Sequence, residues 1–152
     1  MQHRNNTIVN TIMRMFFLLL ISTLQAQVGV AQQLQPDPLL VKRIYFSGGS
    51  YGIDQKQAQE LKQFIESFAN IEQYTITVHS HTDNIGSIEF NQFLSERRSD
   101  MAVQKLLELR VPRNIITVQD FGEFNPIYDN STFQGRLMNR RVDIILWPVE
   151  TL

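Results

Sequence analysis

The chain has 152 residues, 43% of them hydrophobic and 19% charged, with a net charge of −1. This composition supports one folded domain and excludes both a disordered chain and a strongly basic nucleic-acid binder. The absence of cysteine excludes disulfides, thiolate metal sites, cysteine nucleophiles and the attachment cysteine of a lipoprotein, and it fits an oxidising compartment.

At the N-terminus, Arg4 and Arg14 precede the apolar run "MFFLLLISTL", Met15 to Leu24, and "QAQVGVA" then brings small residues up to Ala31. A basic leader, a short apolar stretch and a small-residue exit predict a signal peptide over residues 1–31, cleaved after Ala31 or after Ala26. The alternative is an uncleaved anchor from Ile12 to Ala31. A spanning helix needs about 20 apolar residues, and Gln25 and Gln27 interrupt this run. Residues 32–40 form a polar, proline-bearing linker, and residues 41–152 form the domain.

"LLVKRIYF", Leu39 to Phe46, predicts a first strand, which the glycines of "SGGSYG" end. Asp54 is placed to cap a helix running to about Asn70, with Ala58, Leu61, Phe64, Ile65 and Phe68 on its buried stripe. "YTITVHS", Tyr74 to Ser80, alternates as a half-buried strand does. A loop follows, then a short helical turn over Ile88 to Leu94. Ser95 is placed to cap a second long helix, Glu96 to Arg110, which Pro112 stops. Asn114 to Asp120 predicts a third strand, Phe121 to Gly135 a long polar loop, and Arg140 to Pro148 a fourth strand. The order is β-α-β-α-β, a loop, then β, which calls for a sheet with helices packed on one face.

The chemistry concentrates in "HSHTDNIG", His79 to Gly86. Three readings are open. His79, His81 and Asp83 would share one face of a straight strand and offer a metal site, although Asp83 falls where the chain turns. Asp83 with His81 offers a catalytic dyad, although no activated nucleophile accompanies it. The third reading pairs Asp83 with Arg98, placed in the first turn of the second long helix beside exposed backbone N–H groups. A carboxylate and a guanidinium held apart would receive the ammonium and the carboxylate of one amino-acid head group.

The stretches "HTDNIGSIEFNQFLSERRSDMAVQKLLELRV", "FGEFNP" and "DNSTFQGRLMNRRVDI" closely resemble the OmpA-like C-terminal domain, a peptidoglycan-binding module also found in peptidoglycan-associated lipoproteins and flagellar motor stator proteins. The resemblance covers roughly Val41 to Leu146. It implies an α/β (α+β) two-layer sandwich with one mixed four-stranded sheet, and it implies a ligand, the diaminopimelate residue of the cell-wall stem peptide. By resemblance, Asp83 receives the ammonium and Arg98 the carboxylate. Thr82 and Asn84 shape the loop, Asn91 lines the pocket and Arg140 sits at its rim. Ser80 stands where the family has glycine, Gly49 where it has a polar side chain, and Ser99 where it has alanine.

The expected function is therefore non-covalent anchoring to peptidoglycan in the periplasm or at the outer membrane, without catalysis, metal or cofactor. A structural role in an envelope complex with weak or lost wall affinity is the alternative. The expected partners are peptidoglycan and other envelope proteins, not nucleic acid, and a membrane only if the leader is retained. On this reading, Arg98→Ala loses binding while the fold stays intact.

Overall fold

The computed structural model describes residues 40–149, so the expected signal peptide and nearly all of the linker lie outside the described residues. Strand β1, Val41–Tyr45, leads to helix α1, Gln55–Glu66, and then to strand β2, Tyr74–His81. Helix α2, Ile88–Glu108, is followed by strand β3, Ile116–Asp120. A short helix α3, Phe133–Asn139, precedes strand β4, Arg141–Pro148. The strands lie in the order β1-β4-β2-β3, with β2 and β3 parallel and β4 antiparallel to both β1 and β2.

The expected mixed four-stranded sheet is present, and its register explains the alternation in β2. Ile76 pairs with Leu146, Val78 with Ile144, and Ile44 with Val142. Directly paired residues share a face, and these six join Leu61 and Ile65 of α1 and Ala102 and Leu106 of α2 in one buried core. Both long helices thus cover the same side of the sheet.

Local chemistry sets the helix ends. Asp54 caps α1, accepting from the Gln57 N–H at 2.8 Å. Gln57 in turn bonds both the N–H and the C=O of Tyr45, at 2.7 and 2.9 Å, which fixes α1 to β1. The helix stops at Glu66, short of the expected Asn70; the Ser67 hydroxyl there donates to the Phe64 carbonyl at 2.7 Å. Asn70 instead caps a single 3-10 turn leading into β2.

The expected break at Ser95 does not occur. Ser87 caps one continuous helix, accepting from the Phe90 N–H at 3.2 Å, and Ser95 lies inside it with its hydroxyl donating to the Gln92 carbonyl at 2.9 Å. At the other end, Val111 N–H bonds the Leu106 carbonyl and Arg110 N–H the Leu107 carbonyl, at 3.0 and 2.9 Å. With Arg110 at φ 64° this is a Schellman stop built without glycine.

The reverse face of the sheet is polar at one end, yet buried. Arg141 is fully buried, and its Nε donates to Asp143 Oδ2 at 3.0 Å. Arg43 approaches the other Asp143 oxygen at 3.2 Å. The 121–130 segment covers this end: Phe121 stacks on His81 at 4.9 Å, and the Asn139 amide bonds the backbone of Ile127 and Tyr128. Burial, aided by the Arg141 charge, lowers the His81 pKa to about 3, so the ring beside Asp143 is neutral.

Two predictions follow from this packing. A side chain at Gly135 would collide with the Asp129 carbonyl. Gly135→Ala is expected to cost about 1–3 kcal/mol in urea unfolding, the usual range for overpacking. The fold accepts His81 only as the neutral ring, whereas the unfolded chain takes its proton at the ordinary imidazole pKa. Stability from this residue is present above that pKa and is lost as the pH falls toward about 3. His81→Phe is expected to show a smaller fall in Tm than the parent between about pH 7 and about pH 4.

Candidate functional site

The segment after β2 turns sharply because several of its polar groups are satisfied locally. Thr82 N–H donates to the Gly122 carbonyl at 2.7 Å, and the Thr82 hydroxyl donates to the Asp83 carbonyl at 2.9 Å. Asp83 Oδ1 accepts from the Ile85 N–H at 3.3 Å, and Gly86 follows at φ 114°. A side chain at Gly86 would be strained in the left-handed region and would press on the Phe90 ring. These contacts leave Asp83 only 5% exposed, its Oδ2 turned to Arg140, whose Nη1 donates at 3.2 Å.

A cavity of about 420 Å³ opens here. Asp83, Arg140 and Arg136 supply its charge, and Ile85, Phe90, Leu94 and Phe133 its apolar wall. Gly48 and Gly49, from the segment after β1, complete the lining, so the polar side chain that the family pattern places near Gly49 is replaced by bare backbone.

Arg98 is placed differently from the expectation. It lies midway along α2, far from the free N–H groups of the helix N-terminus, and its side chain is fully buried. Its Nε donates to the Ser50 carbonyl at 2.9 Å, Nη1 to the His81 carbonyl at 2.9 Å, and Nη2 to the Ser47 carbonyl at 3.2 Å. The guanidinium also stands 4.9 Å from the centre of the Phe46 ring. Burial pulls its pKa down to about 10, opposed by the Asp83 charge, so it remains a cation at neutral pH. Arg98 is absent from the cavity lining; it is the support behind Asp83.

The other expected site residues divide. Thr82 is buried and frames the turn, and Asn84 is exposed on the same loop. Asn91 is 1% exposed, and its Nδ2 donates to Glu123 at 2.6 Å, so it braces the 121–124 segment beside the cavity. Arg140 is not the first residue of β4 but the C-cap of α3. One turn earlier on that helix stands Arg136, which the sequence reading missed; its Nη1 donates to the carbonyls of Asn130 and Ser131. The signal was available in Thr132, which caps α3 by accepting from the Gly135 N–H at 2.9 Å. His79 and His81 both face Phe121 at the polar end of the sheet. Among the described residues, no group of three or more His, Cys, Asp or Glu comes close enough to hold a metal ion.

A family model for the OmpA family matches residues 45–140. The chain belongs to the OmpA family. Among relatives of this OmpA family chain, outer membrane protein A of Bordetella avium is 33% identical over 77% of this chain and 64% of its own length. Outer membrane porin F of Pseudomonas fluorescens is 38% identical over 55% of this chain, and the match covers only 26% of that protein. Outer-membrane lipoprotein YfiB of Pseudomonas aeruginosa is 41% identical over 49% of this chain and 44% of its own length. The chain therefore matches from about a quarter to under two-thirds of the length of these relatives. In fold, the peptidoglycan-associated lipoprotein of Burkholderia pseudomallei superposes with a TM-score of 0.61 at 23% identity, covering 70% of this chain and 90% of that one. The C-terminal domain of Helicobacter pylori MotB gives 0.62 at 22% identity, covering 70% and 84%.

The burial of Arg98 in this OmpA family domain changes what its removal does. Arg98→Ala would strip three carbonyls of their donor and leave the buried Asp83 with Arg140 alone as its neighbouring cation. A loss of about 3–5 kcal/mol is expected in urea unfolding, as for other broken buried charge contacts. Arg97→Ala is expected to stay within about 0.5 kcal/mol of the parent, because Arg97 is exposed and its pair with Asp100 is long, at 3.8 Å.

Proposed function

We propose that this OmpA family domain binds peptidoglycan without covalent chemistry, by seating the zwitterionic end of a diaminopimelate residue in the cavity beside Asp83. The observation that carries this reading is the arrangement of charge in the cavity. One carboxylate and one guanidinium stand 3.2 Å apart on its wall, each largely shielded from water. A head group bearing an ammonium and a carboxylate on one carbon matches them with opposite charges.

In this reading Asp83 receives the ammonium and Arg140 the carboxylate. Arg98 supplies a fixed positive charge behind Asp83 and holds the walls in place. Thr82 and Asn91 keep the turn and its neighbour rigid, and Asn84 is an exposed polar group on the same loop. Ile85, Phe90 and Phe133 border the methylene chain that leads to the head group. The fold shared with a peptidoglycan-associated lipoprotein supports the choice of polymer. The outer-membrane relatives support a place in the cell envelope, at the wall or the outer membrane.

Each charged contact contributes about 1.5–3 kcal/mol before desolvation, so affinity for one free stem peptide is modest. A polymeric wall holds the protein more firmly, because neighbouring stems raise the local ligand concentration.

Purified diaminopimelate-type sacculi are expected to pull down the protein, with free meso-diaminopimelate competing. Asp83→Ala is expected to weaken capture by about tenfold or more, the worth of one charge-assisted contact. A parent protein that ignores the sacculi, or an Asp83→Ala variant captured as well as the parent, overturns the reading. Capture of a fixed envelope protein without sacculus binding would favour an assembly role.

A further inference from the structure

The seat that Asp83 offers to a ligand ammonium is already filled. Arg140 Nη1 holds Asp83 Oδ2 at 3.2 Å, with side-chain exposures of 15% and 7%. A ligand amine that takes the place of this donor on Oδ2 displaces the guanidinium. The displaced group has little water to turn to, and its Nε is buried without a partner already. Gly48 stands close on one side: a Cβ there would come within 3.3 Å of Arg140 Nη1. Helix α3 returns Arg136 to the same cavity one turn away, and Arg136 is held in place by the Asn130 and Ser131 carbonyls. Arg98 adds a third guanidinium behind Asp83. Glu123, on the 121–124 segment, is engaged by Asn91. The cavity wall thus carries one acid against two arginines.

We infer that Arg140 is a selectivity gate: it occupies the ammonium seat of the empty pocket and yields only to a ligand that brings a carboxylate for it. This rests on the diaminopimelate reading above and names the residue that sets its specificity. A plain amine carries net positive charge into a wall that is already positive, and it leaves the displaced guanidinium buried without an anion. An amino-acid head group is neutral overall. Its ammonium replaces Arg140 on Asp83 while its carboxylate, on the same carbon, receives the freed guanidinium. Rejection of the plain amine therefore comes from an unpaired charge built against it, not from a missing contact.

The effect of removing Arg140 has an unusual sign. Arg140→Gln deletes both the competitor for Asp83 and the receptor for the carboxylate. Affinity for the head group falls, and affinity for a plain amine rises.

The test uses two synthetic stem tetrapeptides that differ only in diaminopimelate or lysine at the third position, titrated by calorimetry into the parent, Arg140→Gln and Arg140→Lys proteins. The parent is expected to prefer the diaminopimelate peptide by about tenfold or more, the worth of one charge-assisted contact. Arg140→Gln is expected to bind the lysine peptide more tightly than the parent does and to lose most of the preference. Arg140→Lys, which keeps the charge, is expected to retain part of it. Melting curves matched to the parent establish that the variants are folded, and Arg140→Met repeats the test if the glutamine variant melts lower. A parent-like preference in a folded Arg140→Gln or Arg140→Met protein overturns the gate and leaves the diaminopimelate reading standing. An equal loss of both peptides also overturns it. A parent protein that binds neither peptide sinks both readings.

Discussion

A guanidinium sealed from water, that of Arg98, organises this end of the molecule. Its three donor nitrogens reach carbonyls on two separate segments: Ser47 and Ser50 after β1, and His81 at the last residue of β2. These segments are not neighbours in the sheet, because β4 lies between β1 and β2. No backbone ladder joins them at this level, so a side chain must. Arginine is suited to the task, since its planar fork offers several donors at fixed angles and keeps its charge when buried. The charge is compensated by three carbonyl dipoles, the Phe46 ring face and the Asp83 carboxylate nearby.

The adjacent arginines of "NRRV" divide the structure between two sides of the sheet. Arg140, at the end of α3, turns to the cavity and Asp83. Arg141, the first residue of β4, points to the reverse face and Asp143. Neighbouring residues at a helix-to-strand junction take opposite directions because strand side chains alternate. Each guanidinium therefore meets its own carboxylate, and the two clusters stay separate. The reverse cluster is structural: Arg141, Asp143, Arg43 and the neutral His81 are closed over by Phe121 and by the segment that Asn139 ties down. Asn139 thereby fixes the start of β4 and, with it, the direction in which Arg140 leaves α3.

The sheet and the two long helices were legible from period alone. Alternation in β2 and the 3.6 spacing in α1 and α2 are signals carried by apolar burial, which dominates the core. Ser95 misled because a serine before a charged, helical run has the form of a cap. In the folded chain its hydroxyl is satisfied by the Gln92 carbonyl and also accepts from the Gly122 N–H at 3.1 Å, so it interrupts nothing. Helix α3 was hidden in a polar stretch because its seven residues bury little apolar surface and it is held by the Thr132 cap and by Asn139. Missing it removed Arg136 from view and put Arg140 on the wrong element. Asp83 was singled out from residue type, but the guanidinium that pairs with it at 3.2 Å was not. Sequence proximity favoured Arg98 in a helix first turn. The continuous helix instead carries Arg98 inward, and the chain returns Arg140 from 57 residues away.

The weak amphipathic pattern of α2 has the same origin as the site. One side of this helix packs Ala102 and Leu106 into the core, as a helix against a sheet should. Its N-terminal half buries, besides Leu94, the polar Asn91, Ser95, Arg98 and Ser99. Asn91 and Ser95, one turn apart, bind Glu123 and the Gly122 N–H, while Arg98 binds the carbonyls on the other side. This half of the helix exchanges apolar packing for hydrogen bonds to chain segments that have no strand or helix partner of their own. Such bonds contribute less net stability than hydrophobic burial of the same area, but they are directional. They fix the turn around Asp83 and the 47–50 segment relative to each other without filling the space between them. A fully apolar stripe would draw those segments onto the helix and close the cavity. The polar half of α2 is what allows a charged, water-shielded hollow to persist at the end of a well-packed sheet.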